Sequence, residues 1–428
     1  MNHPSRCRSG LGPVRVLLAA AVALTLASCA APTAAPPPTE PAGTVTASPA
    51  SDAVSPPGQV SGSPTSGSPD VAGEVNRQVD LMLSPGGRYD ELLRAFLVSV
   101  DGDPIVEHYS STSGPDVTAN VYSVTKSVMS MLIGIAIDQG LIRNVDQTVG
   151  ELLPSHAAAM TPDSAAITLR QLLTMTGGLP GTPVGGFFDP FESSANWVDT
   201  ILSTPLAQPR GQQFTYSNGS SHLLSAILTE ATGRPALDYA REKLFEPLGI
   251  RSQPAATPVP KPDRADVAVY DAAPGFAWSV DPQGYQLGYS NIKITAADMI
   301  KLGGLYLNGG QWQGVQLVPA AWVAESTQPH VQPGADRSPG YGYQWWLNDA
   351  AGHPAFVAMG YAGQLIEVVP DLNLVVAVSC LDGPAAFNST DLAALVSRHV
   401  VPAVSGCPGS RLTRVAADTG PRLTRGRG

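Results

Sequence analysis

Charge and cysteine are both scarce in this chain. Asp, Glu, Lys and Arg make up 14% of its 428 residues, and the formal net charge is -10. That balance excludes nucleic acid as a main partner, because binding phosphate needs a basic surface. There are four cysteines, no Cys-x-x-Cys and no His/Cys cluster at ligand spacing, so no structural zinc is expected. The His-Glu-x-x-His metal helix and the Gly-x-Ser-x-Gly nucleophile elbow are missing too. His108, His156, His222, His330, His353 and His399 are scattered without an evident partner, which leaves them structural or solvated roles. What is plentiful is core material. At 43% hydrophobic, the chain can build one large two-lobed domain.

The two ends differ from the middle. Arg6, Arg8 and Arg15 precede an apolar run at 16–27, too short to span a bilayer and laid out like an export signal. It closes on Leu26-Ala27-Ser28-Cys29, which resembles the lipobox of bacterial lipoproteins. The expected reading is a signal peptide at 1–28 and a lipidated Cys29 that anchors the protein to the outer face of the cytoplasmic membrane. Two or more acyl chains hold a protein firmly where one does not. Residues 29–70 are Pro, Ala, Ser, Thr and Gly with almost no large apolar side chain, a composition that cannot offset its chain entropy and reads as a tether. At the other end, 404–428 carries five arginines among Gly, Thr and Pro and reads as a basic, solvated tail. In an oxidising compartment Cys380 and Cys407 either pair or stay as two free thiols.

The folded part is expected at 71–403. An amphipathic helix opens it near 71–83. Alternation on both sides of Asp101-Gly102-Asp103 predicts a β-hairpin, and a helix-rich stretch follows. There Thr295, three residues before Asp298, marks a helix start. Strand character returns in 340–348, 355–370 and 373–380. Two early strands, a helical middle and three late ones predict an α+β fold: an antiparallel five-stranded sheet built from both chain ends, flanked by helices, with a helical lobe inserted.

One stretch raises a chemical question. Residues 128–137 are apolar almost all round, so this helix belongs between layers. Yet it opens with Ser123 and, one turn on, Lys126. A serine at a helix start lies near unpaired N–H groups and the positive end of the dipole. A lysine there is opposed by that dipole and desolvated, both of which lower its pKa. A neutral amine can take the serine proton and activate a weak nucleophile. Ser-x-x-Lys recurs at Ser290/Lys293, but in a segment read as extended, where residues three apart do not share a face. Tyr-Ser-Asn also occurs twice. The copy at Tyr216-Ser217-Asn218 leads into a helix and can present a phenol for proton transfer and an amide for substrate. The alternative is that Tyr216 packs and Asn218 caps. Gly360-Tyr361-Ala362-Gly363-Gln364 heads a late strand, where Gly363 lets a substrate backbone approach and the Gln364 N–H can serve an oxyanion.

With these three elements in order, the chain resembles the penicillin-recognising serine hydrolase superfamily, on its class C β-lactamase, D-aminopeptidase, esterase and 6-aminohexanoate-hydrolase side. The resemblance implies the β-lactamase/transpeptidase-like fold and no cofactor. It implies Ser123 as acylated nucleophile, Lys126 as base and Tyr216 as proton-transfer partner. Asn218 would bind substrate, and the N–H groups of Ser123 and Gln364 would form the oxyanion hole. In place of the Lys-Thr-Gly third motif stands Tyr361-Ala362-Gly363, with no cation at the first position and no hydroxyl at the second, which disfavours carboxylate-bearing β-lactams and peptide C-termini. The reading is a serine hydrolase of small esters or amides. A β-lactamase or D,D-peptidase is the alternative within the same chemistry, and a non-catalytic envelope-binding lipoprotein the alternative outside it.

Overall fold

A computed structural model describes residues 70–406 except 84–91, 112, 184–187, 253–258, 264–265, 335–337 and 383–387. The signal, Cys29, the tether up to residue 69, Cys407 and the tail beyond it lie outside the described residues; Val404 and Ser405, expected in the tail, belong instead to a helix, Val401–Ser405, with Val404 packed in the core. Among the described residues, no helix is long and apolar enough to cross a membrane, and no group of His, Cys, Asp and Glu is placed to hold a metal.

The opening helix α1 (Val71–Met82) is capped by Asp70, whose carboxylate accepts from the Gly73 N–H. The hairpin follows as β1 (Leu93–Val100) and β2 (Asp103–Tyr109), turned by the left-handed Asp101 and Gly102. A second, smaller sheet contains β3 (Thr118–Asn120), β4 (Val259–Pro260), β5 (Ala277–Val280) and β6 (Ile292–Thr295) in the order β3-β6-β5-β4. A surface hairpin, β7 (Gln311–Trp312) and β8 (Val315–Gln316), precedes the late strands β9 (Trp346–Ala350), β10 (His353–Gly360), β11 (Gln364–Val369) and β12 (Leu374–Cys380).

The main sheet has six strands in the order β2-β1-β12-β11-β10-β9, every neighbour antiparallel. It is built from both chain ends, as the sequence predicts, with one strand more than the five expected. The extra strand arises because 355–369, apolar but for Gln364 and Glu367, folds back on itself at 361–363 into β10 and β11. A run so nearly apolar gives little period by which to see that break.

Side chains alternate between the sheet's faces. Phe96, Val98, Val357, Leu365, Val376 and Val378 meet Val75 and Val79 of α1 and Leu392, Val396 and Val400 near the C-terminus. On the other face, Ala95, Leu97, Ala358, Ile366, Val375 and Ala377 join a core shared with the helical lobe. At its centre lies α2 (Val124–Asp138), buried from Val124 to Ala136. Thr295 caps the Ala296–Leu307 helix through a capping box with Asp298. Cys380 is a free, buried thiol.

Candidate active site

Every residue from Ala119 to Ala136 is buried except Ser123, which is half-buried. At the N-terminal end of the apolar helix, the position that reaches solvent is the N-cap serine. Ser123 has helical dihedrals and makes no side-chain cap bond, so its Oγ is not spent on the backbone. The first-turn donors are already used: the N–H groups of Val124, Thr125 and Lys126 donate to the carbonyls of Val121, Tyr122 and Ser123. The unpaired donors expected around the serine oxygen are therefore fewer than a helix start suggests, and the Ser123 N–H is not among those three.

Lys126 is 2% exposed. Its Nζ lies 3.0 Å from Ser123 Oγ, 2.8 Å from Asn218 Oδ1 and 3.0 Å from the Tyr289 carbonyl oxygen. Burial pulls its pKa down to about 7, against a smaller upward pull from the Asp189 carboxylate. The three neighbours are not equivalent. An amide oxygen and a backbone carbonyl can only accept, whereas a hydroxyl can also donate. A neutral amine has two N–H bonds and one lone pair. With the two N–H bonds given to Asn218 and Tyr289, the lone pair faces Ser123 Oγ. This is the geometry for taking a hydroxyl proton.

Tyr216 precedes Ser217, whose Oγ caps the Asn218–Thr232 helix by accepting from Ser220 N–H. The Tyr216 ring stacks on Trp346 at 5.8 Å between centroids and lies 4.8 Å from Lys126 Nζ. Burial pushes its hydroxyl up to about 12, with a hydrogen bond to Ser123 pulling the other way. Tyr216 thus both packs and touches the serine. Asn218 is no cap: its Nδ2 donates to Asp189 Oδ2 at 2.8 Å while its Oδ1 takes the lysine.

The third motif is brought to the serine by close backbone packing. A Cβ on Gly360 would lie 2.3 Å from the Val121 carbonyl oxygen, so only glycine lets β10 end against the segment leading into Ser123. The chain then turns through left-handed Ala362 and Gly363. Gln364 is 1% exposed; its side chain points inward, accepting from Ser379 Oγ at 3.0 Å and donating to the Cys380 carbonyl at 2.9 Å. Only its backbone is left to face a substrate. Tyr361 is 46% exposed and meets Tyr122 edge-to-face at 5.4 Å.

The second Ser-x-x-Lys does not form a pair. Ser290 donates to Asn291 Oδ1, while Lys293 sits on the extended β6 and donates to the carbonyls of Tyr270, Asp271 and Ala273. Several histidines, expected to lack partners, have them in carboxylates remote from Ser123 in their bonding: His156 with Asp199, His222 with Asp281, and His353 with Asp371.

Sequence reasoning did not find Asp189, Glu192, Lys261 or the Tyr289 carbonyl. Asp189 and Glu192 begin and line a short 3-10 turn, Pro190–Ser193. Asp189-Pro190 is a helix-start signal, but nothing local says what that turn faces.

The profile of the beta-lactamase family matches residues 89–397. Penicillin-binding protein 4 of Amycolatopsis lactamdurans is 27% identical over 286 residues, 63% of this chain and 74% of that one. The 6-aminohexanoate-dimer hydrolase of Paenarthrobacter ureafaciens is 24% identical over 54% of this chain, which spans 55% of that relative's length. A penicillin-binding protein homologue from Caulobacter crescentus superposes with a TM-score of 0.60 at 20% identity, covering 79% of this chain and 99% of that one.

Proposed function

The chain belongs to the beta-lactamase family of serine hydrolases, and from that premise we propose that it cleaves small esters or amides through an acyl-enzyme on Ser123, without a cofactor. The observation that carries this reading is the Lys126 amine 3.0 Å from Ser123 Oγ, with its other two contacts on groups that can only accept. Ser123 attacks the carbonyl carbon as its proton passes to Lys126. The oxyanion forms against the N–H groups of Ser123 and Gln364, whose fixed dipoles need no reorganisation. Tyr216, protonated at neutral pH, passes its proton to the leaving group and takes one back from the Lys126 ammonium, which restores the neutral amine. Water then opens the ester by the reverse relay, and Asn218, Gly363 and Gln364 line the acyl group.

Esters and amides without a carboxylate are preferred over β-lactams because Tyr361 stands where relatives carry a cation. The chain would act outside the cytoplasmic membrane, held by lipid on Cys29. A fluorophosphonate probe tests the core of this reading by intact mass. One adduct on the wild type and none on Ser123→Ala is the expected result; no wild-type adduct, or an equal one on the variant, ends it. p-Nitrophenyl esters, nitrocefin and D-amino-acid amides then rank the substrate classes, and rapid nitrocefin turnover would favour the β-lactamase reading.

A further inference from the structure

Both of the fixed acceptors on Lys126 are themselves held, and from the same place. Asn218, which takes one hydrogen of the amine, donates its Nδ2 to Asp189 Oδ2 at 2.8 Å. Tyr289, whose carbonyl takes another, donates its hydroxyl to Glu192 Oε1 at 2.6 Å. Asp189 and Glu192 stand three residues apart, at the cap and within the turn Pro190–Ser193, which places their side chains on one side of it. Asp189 is 6% exposed and the Glu192 side chain 3%. Two carboxylates this deeply buried are costly unless paired. Lys261 is ion-paired with Glu192, and Thr182 and Asn218 hydrogen-bond Asp189.

We propose that Asp189 and Glu192 are positioning residues that clamp the base, Asp189 through Asn218 and Glu192 through Tyr289, so that the lone pair of Lys126 has one direction left, toward Ser123. The proposal rests on the reading of Lys126 as the base. The two arms differ in charge. Asp189 is close enough to favour the ammonium form of Lys126; the charge of Glu192 is answered by Lys261. The ionisable and polar groups facing the amine are thus Ser123, Tyr216, Asn218 and Tyr289 directly, with Asp189, Glu192 and Lys261 behind them. A turn that served packing alone would not need two carboxylates aimed at the two residues holding one amine. Its apolar member, Phe191, already packs against Trp197 and His222.

The test reads the amine itself rather than turnover. The sequence holds five lysines, so the folded protein labelled with 13C at lysine Cε gives a readable spectrum, with the Lys126 signal assigned by its loss in Lys126→Met. Asp189→Asn keeps an oxygen for Asn218 Nδ2 and removes the charge; the Lys126 titration midpoint should move down while the signals of Lys243 and Lys301 stay in place. An unchanged or raised midpoint in a folded variant overturns the Asp189 arm. For the other arm, Glu192→Ala drops the Tyr289 hydroxyl and should also lower the midpoint, because a loosened carbonyl favours the ammonium less. Glu192→Gln retains an acceptor and should stay closer to wild type; identical behaviour of the two Glu192 variants overturns that arm. None of these readings needs a substrate. Failure of the hydrolase reading shows instead as a missing Ser123 adduct.

Discussion

Asn218 Oδ1 accepts from Lys126 Nζ at 2.8 Å while its Nδ2 donates to Asp189. One amide thereby links the amine beside Ser123 to a buried carboxylate on another loop. A side chain with both ends occupied cannot turn freely, so the lysine sees a fixed acceptor. That fixity is worth more to a reaction than any single bond strength, since misplacing a reacting group by about 1 Å can cost about 100-fold in rate.

Lys126→Arg should abolish esterase activity, lowering kcat by at least about 1000-fold. Guanidinium stays protonated and cannot accept the serine proton, although its charge is retained. Steady-state rates on p-nitrophenyl acetate, with circular dichroism to confirm folding, check this; activity within about tenfold of wild type would refute Lys126 as base.

Rate should rise with pH through about 7, where the buried Lys126 amine loses its proton. Below that value the amine is charged and its lone pair is occupied. Tyr216, pushed up to about 12, stays protonated throughout and adds no limb near neutrality. The profile of kcat/KM between pH 5 and 9 tests the point, and a flat profile over that interval speaks against it.

Gly360→Ala should damage both stability and activity. Its Cβ would fall 2.3 Å from the Val121 carbonyl oxygen, and backbone cannot yield as a flexible side chain does. Overpacking of this kind costs about 1–3 kcal/mol. The displaced segment is the one that delivers Ser123, so kcat should fall by about 10–100-fold. Urea melts and turnover on one preparation read both effects.

Tyr361→Lys should shift preference toward anionic substrates. The position is half exposed, so the change adds a cation without burying it. The ratio of nitrocefin to p-nitrophenyl ester turnover should rise severalfold. An unchanged ratio would mean that the missing cation is not what disfavours carboxylates.

Glu367, on the terminal-helix face of the sheet, is fully buried and donated to by Asn348 Nδ2 at 2.7 Å. Burial lifts its carboxyl to about 8. The folded state therefore holds a proton that the unfolded chain releases near its ordinary value, and stability is lost as pH rises through about 8. Glu367→Gln should remove that slope: the variant gains on wild type between pH 5 and 8 and keeps a constant margin above. Thermal melts at pH 6 and pH 9 decide it, and parallel shifts of the two proteins would contradict it.

The legible part of the site is the part built by neighbours in sequence. Ser123 and Lys126 share a face because a helix brings residues three apart together, and the apolar run after them is long enough to declare that helix. Tyr216 and Asn218 flank a cap serine before another strong helix. The hairpin at Asp101-Gly102 and the Thr295 cap were equally local. The sixth strand was not legible, since β10 and β11 form one nearly apolar stretch whose break depends on a left-handed Ala362. Nor was the clamp. Asp189 and Glu192 sit in a loop of ordinary composition, and the second Tyr-Ser-Asn contributes a backbone carbonyl that no side-chain pattern encodes.

By itself the sequence determined which residues could react: a hydroxyl and an amine one helical turn apart, at the mouth of a helix too apolar to lie outside. Helical geometry acts over a few residues, so it can be read along the chain. Tertiary structure alone decided whether that amine would be neutral and where its lone pair would point. Those properties depend on the depth of burial, on Asn218 some ninety residues away and on the Tyr289 carbonyl further still. Desolvation and hydrogen-bond direction are set by what surrounds an atom in space, and they have no local signature.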